Sequence, residues 1–588
     1  MLKGLTFFLK FSWKNKKSYV ILNILNQIVQ GTMPLVIIAI PKFIIDELLY
    51  EQRIEILAGY VGLLLVAIFV KNWGGSHIEL QIFNKRCYLS CAFSEFMHNK
   101  LLNTNYSNLE TPDFHEIKEK ANKFLYGDWH GFSFVLENAF SIAGKFITLI
   151  GIVAIISTMN IWLVCVFIFF VIISTIIDYK FKEKAYGFSL EAVNIERRWN
   201  YFTRILEDSS FSKEIRMNQI GNWLIDEEKK FAHKAIGFYE KRNKWFSKSA
   251  LFNTFFALLQ SLMTYCYLIN DVIAGNISLG SFSMYVSAIT SFSASVKDII
   301  TSIVDIKVYG MYYEALEKYI NIEDTMRNNA KLPLPPMENF SIEFKNVSFK
   351  YPGQNDYALK NINTIICKGK KISIVGENGS GKTTFIKLLC RLYDPTEGEI
   401  LLNGVNVKDI DYDEYMKVFA AVFQDFKLFS FSVKENIIWK DNSVDTRGQI
   451  LELLNRIGLG EKIKSLPKGI DTSVYKEFDS NGFEPSGGES QKIAITRAIA
   501  KDAQIVILDE PLSALDPKAE NDMFIQFDNI VQKKTAIYIS HRLSSCRLCD
   551  EIFVFKQGEI CEHGTHEELI EQNKEYSKLY SLQAKYYI

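Results

Sequence analysis

A chain of 588 residues exceeds what one hydrophobic core ordinarily organises, so two folded units are expected. Its 67 basic and 67 acidic residues cancel, which excludes a strong global field drawing the chain to nucleic acid or acidic lipid. Mean hydropathy is +0.03, but this averages an oily, Phe-rich first half with a second half of ordinary soluble composition.

The nine cysteines are scattered. Apart from Cys87 and Cys91, the only close pair is Cys546 and Cys549, which lacks the second pair a zinc site needs, so all are read as reduced thiols.

The N-terminus, MLKGLTFFLKFSWKNKKSYV, places lysines before an apolar run, yet that run outlasts a signal peptide and contains Pro34 and Pro41. An amphipathic elbow leading into a first spanning helix is expected instead. Six segments reach the roughly 20 apolar residues a bilayer requires, over 18–45, 54–75, 132–157, 160–178, 249–273 and 279–304. The first and last carry more polar residues than lipid-facing helices tolerate, so they are expected to line an interior surface.

Short loops separate spans three from four and five from six, whereas long polar stretches follow spans two and four. Lysines 10, 14, 16 and 17 and the basic long stretches place the N-terminus and those stretches on the cytosolic side. No proline occurs from residue 113 to 332, so the helices are expected to run far beyond the membrane. TPDFHEIKEKA from Thr111 and SFSKEIRMNQIGNWL from Ser210 read as short amphipathic helices at hairpin tips, candidates for docking a soluble domain.

KLPLPPMENF, residues 331–340, marks the boundary between units 1–330 and 331–588. Beyond it, β-branched runs such as IEFKNVSF and KISIVG alternate with helical stretches, as in an α/β fold with a largely parallel sheet. GENGSGKT follows the strand KISIV and opens the helical TTFIKLLCRL, the context a P-loop requires. Gly376, Glu377, Asn378, Gly379, Ser380, Gly381, Lys382, Thr383 and Thr384 would thus curl backbone N–H groups round a phosphate. Lys382 would add charge, and Thr383 a hydroxyl for Mg2+.

QIVILDEP supplies apolar β-formers and then two carboxylates, Asp509 to hold Mg2+ and Glu510 to take a proton from the water attacking the γ-phosphate. PSGGESQKIAITRAIA sets Ser486, Gly487 and Gly488 before an unbroken helix, a second cradle of backbone donors. One nucleotide has one triphosphate tail, so the economical arrangement has this cradle face the P-loop of another copy.

With these motifs in order, residues 341–570 resemble the nucleotide-binding domain of the ATP-binding cassette superfamily, and the whole chain resembles its exporter half-transporters of type IV architecture. The fold implied is multidomain: an all-α six-helix transmembrane domain followed by an α/β P-loop nucleotide-binding domain, with ATP and Mg2+ as cofactors. The resemblance makes Tyr351 the aromatic that stacks on adenine and Gln424 the residue sensing Mg2+ and γ-phosphate. It also puts Asp516 of SALD on the loop crossing the dimer interface, and makes His541 the switch histidine. GNISLGSF at Gly275 resembles the turn between helices five and six, and the two hairpin-tip segments resemble coupling helices.

Two positions depart from the family's Leu-Ser-Gly-Gly-Gln, which here begins at Pro485 and ends at Glu489. Glu489 suits a helix dipole but brings negative charge toward phosphate. With Glu510 and His541 intact, a homodimer is expected, and a heterodimer with one weakened site is the alternative. SGGESQKIAITRAI looks most like exporters of ribosomally made peptides of the lantibiotic and microcin type, so peptide cargo is expected, with drug or lipid next. With the first span expected from about residue 18, no leader peptidase domain is expected ahead of it. A non-transporting, ATP-gated membrane regulator is the reading from another class.

Inside the spans, Asn23, Gln27 and Gln30 share a helical face with Asn26 beside them. Lys145 lies within span three, with Glu137 two turns away as a candidate partner. The partners implied are a second half-transporter, membrane lipid and the cargo, with no nucleic acid; the location implied is the cytoplasmic membrane.

Overall fold

The computed structural model describes residues 2–126, 131–158, 161–328, 332–439, 444–509, 531, 534–539 and 545–584. The chain divides into two compact units, one of residues 1–102 and 115–321 and one of residues 103–114 and 322–588.

The first unit is built of helices. Its opening helix, Leu2–Asn15, turns Phe8 and Phe11 inward against Phe132 and Phe93 at ring separations of 5.6 and 5.4 Å, while Lys3, Lys10 and Lys14 stay on the other side. That is the amphipathic elbow. Long helices follow over Lys17–Leu49, Ile54–Leu102, Gly131–Ser157, Ile161–Glu207, Gly221–Ile273 and Leu279–Asn321. Among the described residues, the first three of these and Gly221–Ile273 are long and apolar enough to cross a membrane. The remaining two expected spans fall on Ile161–Glu207 and Leu279–Asn321.

Gly221–Ile273 has 53 residues, so it is ~80 Å long against a hydrocarbon layer of ~30 Å. The long extensions foreseen from the missing prolines are therefore present. Small residues let the rods approach: a Cβ on Gly31 would lie 2.8 Å from the Gly144 carbonyl, and Thr148 Oγ1 donates to Gly31 O at 3.0 Å. The turn at Gly275 (φ +77°) leads to Gly280, whose N–H donates to Asp46 at 3.2 Å and which has no room for a side chain.

The polar face of the first span packs between helices. Asn23 and Asn26 are buried, a Cβ on Gly144 would meet Gln27, and one on Gly75 would meet Gln30. Lys145 does not pair with Glu137. It bridges to Asp298 of the last long helix at 2.8 Å, and Glu137 is held by Arg86 at 3.1 Å. Two turns along one helix separate Cβ atoms by ~10 Å, whereas a neighbouring helix offers a carboxylate directly across the groove.

In the second unit, strands β1 (Ser341–Phe349), β2 (Leu359–Cys367), β4 (Glu397–Leu402) and β5 (Val405–Asn406) form an antiparallel sheet ordered β2-β1-β4-β5. A second sheet contains β3 (Lys371–Gly376), β6 (Phe419–Val422), β7 (Ile505–Asp509), β8 (Thr535–Ile539), β9 (Glu551–Lys556) and β10 (Glu559–Gly564), ordered β10-β9-β3-β8-β7-β6. It is parallel except at β10. The α/β expectation holds for this sheet; the run IEFKNVSF belongs instead to the antiparallel one. Burial differs in step: β7 and β8 are buried along their whole length, as central parallel strands require, while β2 buries only Leu359, Ile362 and Ile366.

Candidate nucleotide site

The parallel sheet decides where the chemistry gathers. Neighbours β3, β8, β7 and β6 end together, and their carboxyl ends lead into the P-loop, the segment containing His541, the pair Asp509–Glu510, and Gln424. Ligands of open α/β sheets bind at such strand ends.

The P-loop joins β3 to the helix Lys382–Leu389. Gly376 (φ +148°) passes so close to β9 that a Cβ would sit 2.3 Å from Phe555 O, and Gly381 (φ +108°) would drive one into Leu359 at 2.7 Å. The loop is thereby fixed in a curl that only glycine permits. Lys382 is buried at the base of its helix and donates to Gly376 O and Glu377 O, both at 2.9 Å, so its ammonium is already aimed into the curl. Ser380 Oγ is buried with no hydrogen-bond partner among the described residues. A cradle of N–H groups, a buried cation and an unsatisfied hydroxyl fit a triphosphate. Asp509, 2% exposed at the end of β7, and Thr383 are the groups suited to Mg2+.

Tyr351 lies beside this loop, its hydroxyl 3.0 Å from Thr384 Oγ1. Tyr393 meets it edge-on at 5.5 Å, and Lys387 lies 5.4 Å from the Tyr351 ring. Tyr106 packs edge-on against Tyr393 at 5.6 Å, and Glu110 accepts hydrogen bonds from Tyr393 and from Lys387. Burial alone would raise the Glu110 pKa, but the Tyr393 hydroxyl and Lys387 ammonium outweigh it and hold the carboxyl below the usual range. Burial and donation to Glu110 push the Tyr393 phenol up.

Tyr106 and Glu110 lie on or beside the short helix Tyr106–Leu109, which corrects the placement of the first docking element. From Pro112 the chain forms one continuous 15-residue helix, with proline at the first position, where its missing N–H costs no intrahelical hydrogen bond. The segment grouped with the nucleotide unit is 103–114, which shares only Thr111–Phe114 with the stretch read from the sequence as a docking helix. The second tip is a short turn of helix at Ser209–Met217, at the place expected.

The second cradle opens the helix Gly487–Ala500. Ser486 caps it: its N–H donates to Glu489 Oε2 at 2.8 Å, and its Oγ accepts from the Glu489 N–H at 3.3 Å. The departure at Glu489 is thus a capping box, in which Glu and Gln serve alike. Glu489→Gln is expected to change stability by under ~0.5 kcal/mol and ATPase rate by under ~twofold, whereas Glu489→Ala loses ~1 kcal/mol. Thermal unfolding and phosphate release check both, and a large loss with Gln would contradict a capping role.

Arg497, on the same helix, donates to Asn436 O at 2.7 Å and Lys427 O at 3.1 Å. Buried Asn436 in turn exchanges hydrogen bonds with Phe429. This clamp ties the cradle's helix to the segment that follows Gln424, and sequence reasoning missed it, as it missed Tyr393, Lys387 and Glu110. Glu510, Asp516 with the rest of SALD, and His541 lie outside the described residues.

Membrane-length helices in one unit and, in the other, a P-loop sheet with a second, capped glycine-rich helix start make up an ATP-driven exporter half-transporter, and the chain belongs to the ABC transporter family. The profile of that family matches residues 359–513. The chain is 30% identical over 569 residues to the subtilin transport ATP-binding protein of Bacillus subtilis, covering 94% of this chain and 89% of that one. It is 29% identical to the nisin transport ATP-binding protein of Lactococcus lactis subsp. lactis, over 81% of this chain and 79% of the other. An ATP-dependent lipid A-core flippase of Haemophilus influenzae shares 36% over 52% of this chain and 51% of its own. Among solved structures, a bacterial Atm1-family ABC exporter with ATP bound shares the fold, with a TM-score of 0.82 at 20% identity over 97% of this chain and 98% of that chain.

Proposed function

We propose that the chain exports a peptide from the cytosol across the cytoplasmic membrane, as one half of a homodimer with two ATP molecules between the copies. The observation that carries this is the pair of cradles on one chain: the curl at Gly376–Thr384 and the capped helix start at Ser486–Glu489. Each copy's second cradle would close on the other's triphosphate. Lys382 and the loop N–H groups bind the phosphates, Tyr351 stacks on adenine, and Asp516 lies on the loop that meets the partner. Thr383, Asp509 and Gln424 would hold Mg2+, which lowers the charge barrier at the γ-phosphate when bound. Glu510 takes the proton of the attacking water, and His541 orients the γ-phosphate. The segment at 103–114 and the tip at 209–217 serve as coupling elements, and the N-terminus and nucleotide unit face the cytosol.

Peptide cargo is favoured because the relatives matching most of the chain are named for subtilin and nisin transport. Inside-out vesicles carrying only this chain are expected to accumulate labelled peptide with ATP and not without it. Accumulation only when a second, different half-transporter is added would overturn the homodimer. Movement of lipid with no peptide uptake would overturn the cargo.

A further inference from the structure

Within the first unit, a cavity of about 340 Å³ lies between helices Ile161–Glu207, Gly221–Ile273 and Leu279–Asn321. That is the lower end of the ~300–1,000 Å³ typical of ligand pockets, so it takes a short segment of a larger molecule. Its charges are unevenly settled. Asp178 accepts from Ser249, from Asn253 at 2.8 Å and from Lys182 at 2.9 Å, and Lys182 also donates to Thr301 at 2.8 Å. This acid and its lysine are spent on each other. Lys297, on the cavity wall, has no ion-pair partner among the described residues, and its neighbour Asp298 is taken by Lys145.

Gln260 adds a donor that, unlike the exposed Lys297, is buried. The residue is 7% exposed, its Oε1 accepts from Ser293 Oγ at 2.7 Å, and its Nε2 has no partner among the described residues. An amide N–H2 buried without an acceptor is costly, so a ligand carbonyl that meets it is favoured. Lys297 is one helical turn beyond Ser293, so the ammonium lies ~6 Å further along the same wall.

Three threonines of the lining have the opposite sense. Thr254, Thr264 and Thr290 line the cavity and donate back to the carbonyls of Ala250, Gln260 and Val286 at 2.8, 2.8 and 2.9 Å, which leaves their oxygens as acceptors. A ligand matched to these groups brings N–H donors, carbonyl acceptors and a negative charge. A peptide segment ending in, or carrying, a carboxylate offers all three. A lipid phosphate offers only acceptors, and its acyl chains gain nothing from a wall of hydroxyls.

We infer that this cavity is a cargo subsite that binds a carboxylate-bearing peptide segment, with Lys297 on the carboxylate and Gln260 Nε2 on a neighbouring carbonyl. The inference rests on the peptide-export reading above.

The test uses the full chain in nanodiscs with two pools of randomised heptapeptides carrying a benzophenone crosslinker, one with free carboxylates and one amidated and esterified. The carboxylate pool is expected to label residues lining this cavity about tenfold more strongly. Lys297→Gln should remove that preference, and Lys297→Arg should retain most of it. Equal labelling by the two pools, no labelling by either, crosslinks elsewhere, or competition by phospholipid headgroup but not by free peptide would each overturn the subsite. ATP-dependent uptake of the same pools into vesicles separates the two claims. Uptake that is indifferent to Lys297→Gln removes the subsite and leaves peptide export standing, whereas lipid movement without uptake removes both.

Discussion

Replacing Glu510 with Gln leaves ATP binding intact and slows steady-state hydrolysis by at least ~100-fold. General-base catalysis contributes about 10²- to 10⁴-fold, and glutamine keeps the size of the side chain while removing the carboxylate proposed to take the proton. The strand that delivers this residue is rigid: β7 is buried along its whole length and hydrogen-bonded on both sides, by β6 and β8. Asp509 closes it, at the strand end where the P-loop also opens, and Glu510 follows it in the sequence. The variant is checked by filter binding of labelled ATP together with phosphate release. Binding that disappears along with turnover would assign Glu510 to the nucleotide pocket and not to the chemistry.

Lys382→Ala is expected to weaken ATP binding by about 100-fold, since it removes a charge-assisted contact at a buried position. The ammonium also donates to two carbonyls of its own loop, so part of the loss comes from a less ordered curl. Titration with a fluorescent ATP analogue gives the affinity, and the shift of Tm with ATP gives the linked stabilisation. An unchanged Kd would show that the backbone N–H groups alone carry the phosphates.

The features legible in the sequence were those set by a few adjacent residues. KISIV before GENGSGKT and an apolar helix after it specify strand, curl and helix locally, and the structure has β3, Gly376 to Gly381 and Lys382–Leu389 in that order. The same holds for QIVILD, whose unbroken apolar run requires a strand covered on both faces. Features that depend on distant partners were not legible. Lys145 finds Asp298 on the last long helix, and no pattern near Lys145 announces it. Glu110 meets Tyr393 only because the 103–114 segment packs on the nucleotide unit, and Arg497 holds Asn436 across a fold in the chain. The antiparallel sheet was hidden for a related reason: β1 reads as an ordinary β-branched run, and only pairing with β2 and β4 gives it its direction. Glu489 was readable in part, because Ser-x-x-Glu is a local signature, although the phosphate-facing charge drew attention away from it.

The length of the rods has a mechanical consequence. A continuous helix of 53 residues without proline transmits a tilt with little loss, so rotating Gly221–Ile273 by only ~5° about one end displaces the other by ~7 Å. Small adjustments at one tip are thereby magnified, by leverage alone, to about the width of a side chain.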